Sequence, residues 1–287
     1  MRDDPRNGII LVTVLWLIAL LAILAVAAST TFRSFSGVIA VERERLEADG
    51  LLSAGLEVAG GLASSAGEDI PLNEVQSTVT MKTGSVQLRL NDEGGRIDIG
   101  QAPAELLTGL MRAVGAPNPV ALAKAIIDWR NDSGAPPANS AQNGGDAKPI
   151  AAPFSDVSQL AQVPGMRPEW IAAAAPLTTV FGNPTINPLT APASVIAALP
   201  GVTGDRVAAF LSARQAHPTD VARLTALLTN AQSFVAVKAP QAVSVRLSAV
   251  LDDGYSAEAA AVIVCLKGDR APYRVLAWNP SPRQNEF

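Results

Sequence analysis

Residues 9–62 read IILVTVLWLIALLAILAVAASTTFRSFSGVIAVERERLEADGLLSAGLEVAGGL. No charge occurs from Ile9 to Phe32. An apolar helix of about 20 residues spans roughly 30 Å of hydrocarbon, and Ile9 to Ala28 supplies that length. Helical character continues beyond Arg33. Arg43 with Glu47, and Arg45 with Asp49, place opposite charges four residues apart. Ala48, Leu52, Gly55, Ala59 and Leu62 fall on one helical face. The stretch therefore reads as one long helix, apolar all round in its first half and amphipathic in its second. A turn-rich linker from Gly60 to Pro71 ends it. Ala25-Val26-Ala27 also fits a small-x-small cleavage site, which keeps open an exported protein with a cleaved signal peptide. Two features oppose that reading. Arg2 and Arg6 are balanced by Asp3 and Asp4, and the apolar run exceeds an h-region of about 7–15 residues.

The 287 residues carry a net charge of -4, which argues against a whole-chain nucleic-acid binder. The one cysteine, Cys265, cannot form an internal disulfide, and the one histidine, His217, excludes a two-histidine metal site. There is no Walker loop, no GxGxxG and no GxSxG, so no enzymatic activity is expected. Cys265 lies in a strand pattern and reads as a small core residue.

Working outward from the helix, Thr78–Met81 and Val86–Leu90 alternate around Thr83-Gly84 and predict a β-hairpin. Val243–Leu251, Tyr255–Leu266 and Pro272–Trp278 are three further strand candidates. These distant strands predict a single antiparallel sheet packed on the N-terminal helix, an α+β arrangement with an all-α segment inserted between its strands. The insertion, about 92–230, is rich in Ala and Leu. It contains a repeat: IDIGQAPAELLTGL (Ile97–Leu110) aligns with INPLTAPASVIAAL (Ile186–Leu199). Pro103 and Pro192 sit where proline opens a helix.

Val163-Pro164-Gly165-Met166 and Leu199-Pro200-Gly201-Val202 resemble the hairpin of helix-hairpin-helix units, which can bind a DNA phosphate. That makes a membrane-anchored, competence-type DNA binder the rival reading. Charge opposes it: the insertion holds nine Lys/Arg against eleven Asp/Glu, whereas phosphate binding needs a basic face. The hairpins then serve helix packing.

Gly8 followed directly by Ile9, between a polar leader and an apolar helix, resembles the type IV prepilin signal. The resemblance implies that a prepilin peptidase cuts between Gly8 and Ile9 and that Ile9 is N-methylated. The fifth mature position, glutamate in most pilins, is Thr13. GRIDIGQAPAELL, AIIDWRNDSGAPP, FSDVSQLAQVPGM and PYRVLAW, in that order, resemble segments of the minor pseudopilin K (GspK) family of type II secretion systems, whose members typically lack that glutamate. This implies a leader (1–8), the membrane part of the helix (9–32), the rest of the helix with the first strands (33–91), an α-helical insertion (92–230) and closing strands (231–287). It also implies a single-pass inner-membrane protein with a periplasmic body, sited at the pseudopilus tip to initiate or cap it. Its partners would be the I, J and H minor pseudopilins and the major pseudopilin. Arg2 and Arg6 precede the apolar run and Arg33, Arg43 and Arg45 follow it, so charge does not choose the orientation. Ala19, Ala22 and Ala25 offer a small-residue surface for helix packing. Some family members hold calcium in the insertion. Here Asp128 and Asp132 stand where acids are expected, but the following NSAQNGGDAK offers only Asp146, and both acids can equally be helix-end and turn residues.

Overall fold

The computed structural model describes residues 6–65, 72, 75–134, 154–239, 241–265 and 271–282. Side chains 6–11, 27–38, 132–134 and 281–282 also lie outside the description. Helix α1, Arg6–Ser65, runs for 60 residues. It is longer than the sequence suggests, because Gly60 and Gly61 do not end it. They are helical, and Gly60 is placed by packing: a Cβ there would meet the Tyr273 ring at 2.3 Å. Gly55 likewise lets the helix approach Val86, at 2.9 Å from its notional Cβ. Glycine costs helix stability, and here it permits close contact with a strand.

The sheet has the order β1-β2-β5-β6-β7 and every pairing is antiparallel. Its strands are β1 (Val75–Met81), β2 (Gly84–Asp92), β5 (Ala242–Leu251), β6 (Ser256–Cys265) and β7 (Tyr273–Pro282). The expected alternation is present. Val86, Leu88 and Leu90 on β2 lie opposite Ala249, Leu247 and Val245 on β5. These pair onward with Ala257, Ala259 and Ala261 on β6. All of them are buried, in one cluster with Ala48, Leu51, Leu52, Ala59 and Ala63 of α1. The alanines of β6 leave room for the helix. Gly254 closes the β5–β6 turn at φ 94, where glycine carries no steric penalty. Arg43 pairs with Glu47 at 2.7 Å. The expected Arg45–Asp49 pair does not form, in keeping with the small stability that exposed pairs return.

Strands β2 and β5 are neighbours, yet the helical segment separates them in sequence. It holds α2 (Ala104–Ala113), α3 (Pro119–Gly134), α4 (Pro168–Ala174), α5 (Ala193–Ala198), α6 (Gly204–Ala216) and α7 (Val221–Leu227). Its core is separate from that of the sheet and is built from residues such as Ile97, Leu107, Leu110, Ile126, Phe154, Ile196, Phe210 and Leu224. Two very short strands, β3 (Ile97–Asp98) and β4 (Thr178–Thr179), pair in parallel.

The sequence repeat is a structural repeat. Ile97 bridges Thr178 in parallel, and Ile186 bridges Val235 in parallel. Asp98 and Asn187 each accept a hydrogen bond from the backbone N–H two residues on, Gly100 at 2.7 Å and Leu189 at 3.2 Å. Pro103 and Pro192 then stand at the N-cap of α2 and α5, one position before the first helical turn. Glycines with positive φ, Gly115 and Gly201, turn each unit into its second helix. Arg130 of α3 donates to the Ala102 carbonyl at 2.8 Å, and Arg214 of α6 donates to the Ala191 carbonyl at 2.7 Å. The two units meet where α2 crosses α5. A Cβ on Gly109 would lie 1.8 Å from the Ala198 carbonyl oxygen.

Candidate assembly site

The expected assembly residues lie on the N-terminal part of α1. Gly8 and Ile9 are within the helix, although their side chains are outside the description. Thr13, Ala19, Ala22 and Ala25 are all exposed, as is every described side chain from 12 to 26. Trp16 is 75% exposed and Ile23 66%. These residues follow one another around the whole circumference, so no single face can be turned to a core. An apolar surface of this extent, exposed on all sides, marks an interaction surface. Among the described residues, no helix is long and apolar enough to cross a membrane. The apolar character persists past the undescribed side chains as exposed Ile39, Val41 and Leu46.

The hairpins have a simple geometry. Val163 and Leu199 carbonyls accept from the Met166 and Val202 N–H groups at 3.2 and 3.3 Å, with Gly165 at φ 86 and Gly201 at φ 72. Pro followed by a positive-φ Gly makes a type II turn. The turn after Leu199 joins α5 to α6, whereas the turn after Val163 joins a 3-10 turn (Val157–Gln162) to α4.

Asp128 is inside α3, not at a helix end, and pairs with Lys124 at 2.6 Å. Asp132 is also within α3, its side chain outside the description, and Asp146 falls outside the described residues. Among the described residues no group of three or more His, Cys, Asp or Glu could hold a metal ion. His217 caps α6, and Cys265 is half-buried at the end of β6.

Three buried acids escaped the sequence reading. Asp92 accepts from the Gly94 N–H at 2.8 Å, from Thr190 Oγ1 at 2.9 Å and from Asn187 Nδ2 at 3.1 Å. Glu93 pairs with Arg96 at 2.9 Å. Asp98 accepts from the backbone N–H groups of Gly100, Gln101 and Gly182. Burial pushes the carboxyls of Asp92 and Asp98 up, and the donated hydrogen bonds oppose that rise. They are tethers: Asp92, at the end of β2, holds the second repeat against the sheet, and Asp98 joins the first repeat to the loop after β4. The Asp-x-Gly pattern at Asp92 and Asp98 is the signal that could have found them, since Asx turns favour it. Above the face of the sheet opposite α1, a cleft of about 250 Å³ lies against the insertion, lined by Arg96, Asp156, Phe181, Ser244, Arg246 and Ala260 among others.

The chain thus sets a long helix on an antiparallel sheet, with a helical body inserted between two adjacent strands. Residues 87–183 match the family model of type II secretion system (T2SS), protein K. The fold is similar to that of a chain in the crystal structure of the GspK-GspI-GspJ complex from the enterotoxigenic Escherichia coli type 2 secretion system. The TM-score is 0.54 at 13% identity, covering 84% of this chain and 98% of that one. No curated protein sequence matches the chain. The matched segment, about a third of the chain, and the similar fold support a minor pseudopilin of the type II secretion system of the protein K type.

Proposed function

We propose that this pseudopilin sits at the tip of the pseudopilus, initiating or capping it, as a single-pass inner-membrane protein with its body in the periplasm. One observation carries the proposal: a single helix joins an apolar surface exposed on all sides, residues 12–26, to a stripe buried under the sheet. That helix can pack in a bundle of like helices while it carries the body. The inserted body supplies bulk that obstructs a further subunit from stacking above. Cutting between Gly8 and Ile9 by a prepilin peptidase, with methylation of Ile9, would leave the anchor helix intact. Thr13 brings no carboxylate to the bundle, where an unpartnered charge would be costly. The subunit would therefore enter first, or together with the I, J and H minor pseudopilins, before the major pseudopilin extends the filament. The role is structural, without catalysis and without nucleic acid. Calcium at Asp128 and Asp132 belongs to this reading only if the loop that follows α3 supplies further oxygen ligands.

Co-purification tests the proposal. Full-length protein should recover the partner minor pseudopilins from detergent extracts. Ala22→Leu with Ala25→Leu should reduce that recovery, because close helix packing in lipid depends on small residues. Crosslinks should place the body at a filament end. Crosslinks along the shaft, together with undiminished recovery by the bulky variant, would contradict a tip role.

A further inference from the structure

The face of the sheet turned away from α1 carries an unusual row. Arg89 of β2 and Arg246 of β5 stand directly opposite each other in the register. Like charges in directly opposed positions destabilise a sheet. Both side chains are exposed, and among the described residues neither guanidinium has a hydrogen-bond or ion-pair partner. Gln76 flanks Arg89 on β1, and Ala260 flanks Arg246 on β6.

This pair lies in a groove. One part, about 290 Å³, is lined by Gln76, Thr78, Gln87, Arg89, Arg246 and Glu258 among others. The cleft of about 250 Å³ under the insertion is the other part, and Arg246 lines both. The floor beyond Arg246 is made of small residues, Ser244, Ala260 and Ala277, which leaves a trough open to an extended chain. Each acid of the groove has a partner other than Arg89 and Arg246 among the interactions described. Glu93 holds Arg96, Asp156 accepts from the Ser158 N–H, and Glu258 has a contact of its own. Arg89 and Arg246 are the groove's two guanidiniums outside an ion pair, side by side on the sheet, and arginine is suited to gripping carboxylates with two parallel hydrogen bonds.

We propose that this groove receives an extended acidic segment of a neighbouring minor pseudopilin, with carboxylates seated on Arg89 and Arg246. The inference rests on the tip-assembly reading and names a surface that reading lacks. The apolar helix would provide association within the membrane, and the arginine pair would fix which neighbour docks on the body and in what orientation, since charge complementarity sets specificity.

The test uses the full chain co-expressed with partner minor pseudopilins of the I and J types. Arg89→Glu with Arg246→Glu should lower recovery of the docked partner by about tenfold, because reversal places like charges against each other. Arg89→Lys with Arg246→Lys should retain most of it. Thermal melting should match wild type for both variants, since the side chains are exposed. In an otherwise wild-type chain, a photo-crosslinking residue at Gln87 should capture the partner through an Asp- or Glu-containing peptide. Equal recovery by wild type and the glutamate variant, or a Gln87 probe that captures no partner, would overturn the groove and leave the helix-based assembly intact. Failure of the wild type itself to recover partners would instead sink the assembly reading.

Discussion

Residues 12–26 and 48–63 belong to one helix and are both rich in aliphatic side chains, yet the first stretch is exposed on every side and the second buries one stripe. The difference lies in what separates the apolar residues. In the second stretch Asp49, Ser53 and Glu57 break the run with helical period, and small residues such as Ala48, Gly55 and Ala59 let the axis come close to the sheet. In the first stretch Thr13 is the one polar residue, and no polar positions recur with helical period to mark an outer side. One helix thus presents two different surfaces, a stripe packed into a protein core of fixed shape and an apolar stretch that the body does not cover.

The largest expected effect breaks this comparison at Leu52. Leu52 is 1% exposed, and Leu52→Asp should destabilise the body by more than about 4 kcal/mol, since it buries an unpaired charge. Leu17→Asp, at a site 58% exposed, should leave the urea or thermal transition of the body within about 0.5 kcal/mol while impairing membrane retention. Equal losses in the two melts would mean that the first stretch also packs on the body.

A smaller effect separates two helical glycines. Gly109→Ala drives a Cβ against the Ala198 carbonyl and should cost about 1–3 kcal/mol. Gly61→Ala has nothing within 4 Å of the new methyl and should stabilise by about 0.5–1 kcal/mol. Calorimetric melting of both variants checks the sign of each. The two arginines that close the repeats should follow. Arg130→Ala and Arg214→Ala each remove a hydrogen bond to the matching carbonyl of their unit, and each should cost about 1–2 kcal/mol. Arg214 bonds the Pro188 carbonyl as well, so its loss should be the greater of the two.

The smallest effects are those of pH. Burial raises the carboxyls of Asp92 and Asp98 above the ordinary value of 3.8. Their contribution to stability is therefore full below that value and is lost as pH rises through the elevated folded pKa. Asp156 is held low by Ser158, so its contribution is present above the ordinary value and is lost as pH falls through the lowered one. Between about pH 3 and 7, the melting difference between wild type and Asp98→Asn should fall with pH, and that between wild type and Asp156→Asn should rise. Slopes of the same sign would contradict the assigned environments.

Much of the fold is legible in the sequence because period-two alternation survives in β2, β5 and β6, and because Ala-Pro-Ala marks both repeats. The extent of α1 is not, since Gly60 and Gly61 look like a linker until Tyr273 is seen against the first of them. Strands β3 and β4 are two residues long and carry no period. The tethering acids are hidden for another reason: Asp92 gains its meaning from Thr190 and Asn187, about a hundred positions away and placed there by the repeat. At the assembly site, Gly8-Ile9 and Thr13 can be read directly as a pattern, whereas the Arg89–Arg246 pair exists only in the register of β2 with β5.

The central claim is that the helix from Ile9 onward is kept as the anchor and assembly element of the mature protein. Intact-mass and N-terminal peptide analysis of the protein isolated from membranes tests it directly. The mature chain should begin at Ile9 with one added methyl group on its amine, and Gly8→Val should leave the leader attached. A mature chain beginning at Ala28 would contradict the account, because the exposed apolar stretch would then be a discarded signal and no anchor would remain.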